Sequence, residues 1–296
     1  MFIQIEFIDC IKVGNTLGEG VVWRASDQTV WWTDIQECLL YRMTWPACEV
    51  RSFSLPERLG SFGLVEGDDQ WLVCAFETGF ALFEPDSGGI RWLSRPPELQ
   101  ASNVRLNDGK VAPDGSFWAG SMHDGRGELT VETGFYRLAG NSEARLVIPG
   151  LCIPNGLAWS PCGQVQYYAD TVSGTVSRCD AVAGMAGPVS AASFAALEPG
   201  SPDGAAVDTT GRYWAALWDA SKLAVYSPDG ALLEEVPLPV PRPTCPAFGG
   251  PEGNILFVTS ARMGLSPDEL DKHPQSGGLF IFRTNACGAP GYRYVA

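Results

Sequence analysis

The hydrophobic and polar positions of this chain follow a phrase that recurs along its length: a Gly- or Pro-introduced acidic or amide residue, an apolar run, a turn, then a strand rich in aromatics. It reads as Leu17-Gly-Glu19-Gly-Val-Val-Trp23 running to Val30-Trp-Trp-Thr-Asp34, then as Leu106-Asn107-Asp108-Gly running through Pro113-Asp-Gly115 to Phe117-Trp-Ala-Gly-Ser121. It returns as Pro154-Asn155-Gly-Leu-Ala-Trp159 running to Tyr167-Tyr-Ala-Asp170, and as Pro202-Asp203-Gly-Ala-Ala-Val207 running to Tyr213-Trp-Ala-Ala-Leu217. Asn107, Asn155 and Asp203 are each 48 residues apart. Two weaker copies, at Ser61-Phe62 and Pro246-Ala247, keep the apolar run but have lost the polar group.

Six copies at 42- to 48-residue steps fill nearly the whole chain. A period of this length, with short strands joined by tight turns, belongs to four-stranded propeller blades. The apolar runs are mostly four to six residues long and bounded by Asp-Gly, Asn-Gly, Gly-Gly or Pro-Asp, as hairpin strands require. The pattern predicts an all-β protein, a six-bladed β-propeller with a central channel, built as one domain over residues 1–296. No linker or low-complexity segment interrupts it. Pro113-Asp-Gly115 and Pro228-Asp-Gly230 read as plain hairpin turns. The sequence Ser266-Pro-Asp-Glu-Leu-Asp-Lys272 predicts one short helix, with a capping serine and a proline at the first helical position.

Charge narrows the partners. The formal net charge is -14, which argues against nucleic acid and against a basic membrane-binding patch. No apolar stretch approaches the length of a membrane span, and the first ten residues carry no basic leader segment, so the expectation is a cytoplasmic protein, a monomer or weak dimer. Nine cysteines form no Cys-x-x-Cys pair and read as small buried hydrophobes of a reduced chain, with Cys245 the one nearest a blade start. Gly-x-Ser-x-Gly is absent.

In a propeller the innermost strands line the channel, so a position repeated in successive blades forms a ring around the axis. Glu19, Asn107, Asn155 and Asp203 would converge there. Each alone is an ordinary turn residue, but carboxylates and amides gathered in one channel are costly unless a cation binds between them. Only His123 and His273 are present, which makes a His-rich zinc site difficult to build. Oxygen donors suit one hard divalent ion such as calcium, magnesium or manganese, while zinc or ferrous iron also fits such a set. Period-2 alternation puts Arg105 on the same face as Asn107, where its forked donors would bind a polyhydroxylated or anionic substrate or else pair with a ring carboxylate. His123 follows the aromatic strand on a loop, as a substrate contact or a solvated side chain. The recurring tryptophans read as blade packing.

These residues resemble a known family. Leu17-Gly-Glu-Gly-Val-Val-Trp23, Arg105-Leu-Asn-Asp-Gly-Lys110, Gly120-Ser-Met122, Pro154-Asn-Gly-Leu157, Pro202-Asp-Gly204, Phe248-Gly-Gly250 and Ser276-Gly-Gly-Leu-Phe280 are similar, in collinear order, to the senescence marker protein, regucalcin and gluconolactonase family, and most of all to its bacterial sugar-acid lactonases. The resemblance implies one divalent metal ion held by Glu19, Asn155 and Asp203, and a sugar lactone contacted by Arg105 and Asn107. Regucalcin-like members carry an acidic residue three positions after the methionine of the Gly-Ser/Thr-Met motif. That place is Gly125 here, and Asp124 or Glu128 are the candidates to serve instead.

The expectation is therefore hydrolysis of an aldonolactone to the open sugar acid, with Asp203 as general base. The alternatives are a calcium-binding or interaction propeller without catalysis, and an esterase or organophosphate hydrolase on the same scaffold.

Overall fold

The computed structural model describes residues 3–100, 103–125, 131–181 and 191–296. It contains six four-stranded antiparallel sheets arranged as a propeller, as the repeat predicts. Blade one is β2 (Gly18–Arg24), β3 (Thr29–Asp34), β4 (Leu39–Thr44) and β5 (Val50–Ser54); blade two is β6 (Leu59–Val65), β7 (Asp68–Phe76), β8 (Gly79–Glu84) and β9 (Gly89–Ser94). Blade three is β10 (Val104–Val111), β11 (Phe117–His123), β12 (Gly134–Leu138) and β13 (Arg145–Pro149). Blade four is β14 (Pro154–Trp159), β15 (Val165–Asp170), β16 (Thr175–Asp180) and β17 (Ala192–Ala196); blade five is β18 (Ser201–Val207), β19 (Tyr213–Trp218), β20 (Lys222–Tyr226) and β21 (Leu232–Pro237). Blade six takes β22 (Pro243–Gly249), β23 (Ile255–Ser260) and β24 (Leu279–Thr284) from the end of the chain, and its outer strand β1 (Ile5–Ile11) from the beginning. That pairing closes the ring. Nothing local in the sequence signals it.

The aromatic doublets explain how the blades stack. Successive strand residues point to opposite faces, and the middle strands have a neighbouring blade on both. Trp31 packs toward blade two and Trp32 toward blade six; Phe117 joins the core against blade two and Trp118 the core against blade four; Tyr213 and Trp214 divide likewise. Each of the six interfaces thus has its own apolar cluster, and β3 is buried along its whole length. The buried indoles keep a partner. Trp31 Nε1 donates to Thr29 Oγ1 at 2.8 Å, Trp118 Nε1 to Ser116 Oγ at 3.0 Å and Trp214 Nε1 to Asp208 Oδ2 at 2.9 Å.

Turns and helix follow their expected chemistry. Gly115 and Gly230 sit at φ +80° and +91° in the two Pro-Asp-Gly turns, and α1 (Pro267–Lys272) starts with a capping box between Ser266 and Glu269. The cysteines depart from expectation: all nine are free thiols, but only Cys10, Cys74, Cys179 and Cys245 are buried, while Cys152, Cys162 and Cys287 are exposed. Among the described residues no helix is long and apolar enough to cross a membrane.

After β24 the chain runs across one mouth of the channel. Gly288 N donates to Gly253 O and Ala289 N to Val207 O, in blades six and five; farther on, Tyr294 N donates to Leu64 O and Val295 N to Gly115 O, in blades two and three. This strap covers the end at which the inner strands finish.

The inner strands pack closely enough that side chains are excluded between some of them. A Cβ on Gly60 would lie 2.5 Å from Leu106 O and 2.7 Å from Asn107 O, both backbone atoms. Gly60→Ala is expected to destabilise the protein by roughly 1–3 kcal/mol through overpacking, read as a lowered urea midpoint. An unchanged midpoint would show that β6 and β10 can separate without cost.

Candidate active site

Each inner strand is bulged next to its repeated polar position. In β10 Leu106 pairs with Ser121 and Gly109 with Ala119, so Asn107 and Asp108 together face one residue, Gly120. The same interruption follows Glu19 in β2 and Asn155 in β14, and falls between Pro202 and Ala205 in β18. A bulge re-aims side chains at the rim of a sheet, and here it turns the polar groups into the channel. Gly20 and Gly156, at φ +60° and +62°, take the left-handed conformation it needs. Asp34 and Asp170 fix the approach to two of the strands: Asp34 accepts from Thr16 N and Leu17 N at 2.7 and 3.0 Å, and Asp170 from Cys152 N and Ile153 N at 3.1 and 3.0 Å.

Glu19, Asn107, Asn155 and Asp203 are all buried, at 7%, 8%, 4% and 7% exposure. Glu19 and Asp203 are hydrogen-bonded to each other across the channel. Burial, then repulsion from Asp203 and Asp108, pushes Glu19 well above the usual carboxylate range. Burial, then the Asp108 charge, pushes Asp203 up to about 8. The pair therefore holds protons more tightly than ordinary carboxyls when no cation is between them.

Asp108 is the residue that the repeat did not single out. It is buried, its carboxyl is raised by burial, and its Oδ2 accepts from Leu157 N at 3.1 Å, tying blade three to blade four. Strict alternation would point it away from Asn107, and only the bulge brings it to the same side. The Asn107-Asp108-Gly109 spelling was the available signal.

Asn155 Oδ1 accepts from Asn107 Nδ2 at 3.1 Å, which leaves a second lone pair, while its Nδ2 donates to Thr171 Oγ1 at 2.7 Å. Thr171 in turn donates to Pro202 O at 2.8 Å, so it fixes the Asn155 amide and the strand carrying Asp203 together. Asn107 is held on both sides: its Oδ1 accepts from Arg105 Nη1 at 2.7 Å and its Nδ2 also reaches Pro154 O at 3.2 Å. Arg105 is 5% exposed and makes no ion pair among the described residues, its hydrogen bonds going to Asn107 and Leu106 O. Burial, and repulsion from Arg58, lower its guanidinium to about 10. The reading of Arg105 as the ion-pair partner of a ring carboxylate is thus not realised.

Asp124 carries a different commitment. Its carboxylate pairs with Arg58 at 2.8 Å, and Arg58 also holds Glu77 at 2.5 Å, forming a charged wall on the Arg105 side. Half-buried His123 has Nε2 3.2 Å from Asn103 Nδ2. Glu128 lies outside the described residues. Cys245 is fully enclosed and its thiol is raised well above the usual range by burial, which leaves an inert side chain packed on Gly204.

The donors fit a hard cation. Glu19, Asp108 and Asp203 are three buried carboxyls with no ion pair among the described residues, compensated by backbone N–H groups such as Gly20 N and Leu157 N and by the more distant charges of Arg105 and Lys110. Glu19, Asp203 and the free lone pair of Asn155 Oδ1 form an all-oxygen set. It is not a site of three acidic, histidine or cysteine ligands, and no such group able to hold a metal occurs among the described residues.

Comparison with known proteins agrees with this architecture. Residues 17–262 match the family model described as SMP-30/Gluconolactonase/LRE-like region. The chain is 36% identical to L-arabinolactonase of Azospirillum brasilense, over 95% of this chain and 93% of that one. It is 34% identical to 6-deoxy-6-sulfogluconolactonase of Pseudomonas putida, over 96% and 97%. The crystal structure of a calcium-binding protein, regucalcin, from Agrobacterium tumefaciens superposes with a TM-score of 0.88 at 26% identity, covering 98% of this chain and 97% of that one. With its six blades, its bulged inner strands and its oxygen-lined channel, the chain belongs to the SMP-30/gluconolactonase/LRE-like family.

Proposed function

We propose that the protein hydrolyses the lactone of a pentonic or hexonic acid to the free aldonic acid, at the polar end of the channel and with one divalent metal ion. The observation that carries this reading is the set of buried carboxyls Glu19 and Asp203 with Asn155, without ion pairs among the described residues, near an Arg105 that likewise makes no ion pair among them, in a chain 36% identical to an L-arabinolactonase. Glu19, Asn155 and Asp203 would hold the ion, whether calcium, zinc, manganese, magnesium or ferrous iron. When bound, it supplies Lewis-acid polarisation of the lactone carbonyl and favours the oxyanion that develops there.

The chain's own residues do the rest. Asp203 takes a proton from the attacking water, its carboxyl having lost its own proton once positive charge enters the site. Arg105 presents the guanidinium N–H groups not used by Asn107 and Leu106 O to the hydroxyls of the sugar. Asn107 keeps Arg105 and Asn155 in register, so substrate orientation and the donor set are coupled through one amide. Arg58 and its partners Glu77 and Asp124 close the wall next to Arg105, where a lactone ring would rest, and His123 lies next to Asp124 on that side. Sugar lactones open slowly by themselves, so modest transition-state stabilisation suffices.

Three outcomes test the reading. Asp203→Asn, with its fold verified by circular dichroism, is expected to lower kcat/KM on a panel of pentono- and hexonolactones by about 10²-fold or more after subtraction of spontaneous opening; wild-type turnover would overturn the role of Asp203. Arg105→Met is expected to raise KM about tenfold or more with a smaller change in kcat. Aryl esters serve as the contrasting substrates, and faster turnover of these than of any lactone would favour the esterase alternative.

A further outcome is a pH dependence. Without metal, the folded chain keeps protons on Glu19 and Asp203 that the unfolded chain releases above its ordinary carboxylate pKa of about 4. Folding then binds protons between about 4 and about 8, so the stability of the chelated protein falls as pH rises through that window. Differential scanning fluorimetry in chelator should show the midpoint dropping from pH 5 to pH 8, and Asp203→Asn should flatten the drop. A wild-type profile that rises over this range would contradict the burial of the pair.

A further inference from the structure

A sizeable cavity lies away from the carboxyl cluster. It has a volume of about 460 Å³ and lies at the opposite end of the channel, where the inner strands finish and the C-terminal strap crosses. That volume falls within the range of small-molecule sites. Trp23, Phe62, Trp159 and Phe248 face it from four blades, and Tyr292 adds a wall from the strap. Aromatic faces at the end of a propeller channel would be expected to fill it by packing on each other. Here they pack instead against aromatics of adjacent blades, Trp23 on Phe257, Trp159 on Trp118 and Phe248 on Trp214, and the strap is pinned at both sides of the mouth, by Gly253 and Val207 on one and by Leu64 and Gly115 on the other.

One charged group belongs to both the channel and the cavity. Lys110, on β10 three residues beyond Asn107, lines the cavity and reaches across to blade five, where Nζ donates to Ala205 O at 2.6 Å. It makes no ion pair among the described residues, and an ammonium carries three donors, of which this contact uses one. Asp108 feels its charge from two residues up the strand but already accepts from Leu157 N. The other cation on the lining, Arg293, is paired with Asp69 at 2.8 Å. A half-buried ammonium with free donors at the floor of an aromatic cavity is complementary to a carboxylate or sulfonate carried on a flat apolar body.

We propose that this strapped cavity is a second binding site, separate from the polar end of the channel, for a small aromatic or otherwise apolar organic anion whose charged group meets Lys110. Occupancy would link blades one, two, three, four and six with the strap, and the ligand would approach within a few residues of Asn107 and Asp108 from below.

Isothermal titration with 1-naphthoate and with the neutral, similarly sized 1-naphthalenemethanol tests this. The expected result is that the wild-type protein binds naphthoate at least tenfold more tightly than the alcohol. Lys110→Met is expected to erase that preference while keeping the alcohol's affinity, and Ala247→Trp, which places an indole in the cavity, is expected to abolish binding of both. A crystal of the wild-type protein soaked with naphthoate should show it between Trp23 and Tyr292 with the carboxylate at Lys110, a readout that does not depend on how the variants fold. Absence of binding by the wild-type protein, a charge preference that survives Lys110→Met, or naphthoate located at Arg105 instead would each overturn the proposal.

Discussion

The structure depends on the confinement of several buried carboxyls in the channel between its inner strands. Glu19, Asp108 and Asp203 arrive from three different blades, and none has an ion-pair partner among the described residues. Such an arrangement persists only because the surrounding strands leave no alternative. The blades are locked by six separate aromatic clusters, and the inner strands approach so closely that Gly60 and Gly109 face backbone atoms of their neighbours. The carboxyls are therefore held close instead of moving apart, and positive charge entering the channel would relieve their repulsion.

Around this cluster the polar contacts form one chain of hydrogen bonds: Arg105 to Asn107, Asn107 to Asn155, Asn155 to Thr171, and Thr171 to the backbone of Pro202 next to Asp203. Three blades are thereby joined at the level where chemistry would occur. The same chain explains why Asn107 matters. It holds a potential substrate-binding arginine against a potential metal-binding amide, so that the two functions share one geometry.

Much of this was legible in the sequence because propeller symmetry converts a linear period into a ring. The 48-residue step from Asn107 to Asn155 to Asp203 is visible without coordinates, and the aromatic doublets announce strands. Three features were hidden for physical reasons. The β-bulge breaks alternation at the functional position, so Asp108 could not be assigned to the channel. Ring closure pairs β1 with β24, nearly the whole chain apart, and such a contact leaves no local pattern. The strap and the cavity beneath it depend on backbone hydrogen bonds of Gly288–Val295, which carry no side-chain signature. The cysteines were read too uniformly, because three of them occupy turns and loops where burial is not required.

The channel is thus asymmetric along its axis, with oxygen donors at one end, aromatic walls at the other and Lys110 between them. The central claim is that Glu19, Asn155 and Asp203 are held together in order to bind a cation. A crystal structure of the protein grown with manganese, with anomalous differences collected, addresses it most directly. The account predicts a single strong anomalous peak coordinated by the Glu19 and Asp203 carboxylates and by Asn155 Oδ1. A map without a peak there, with the two carboxyls still hydrogen-bonded to each other, would contradict it.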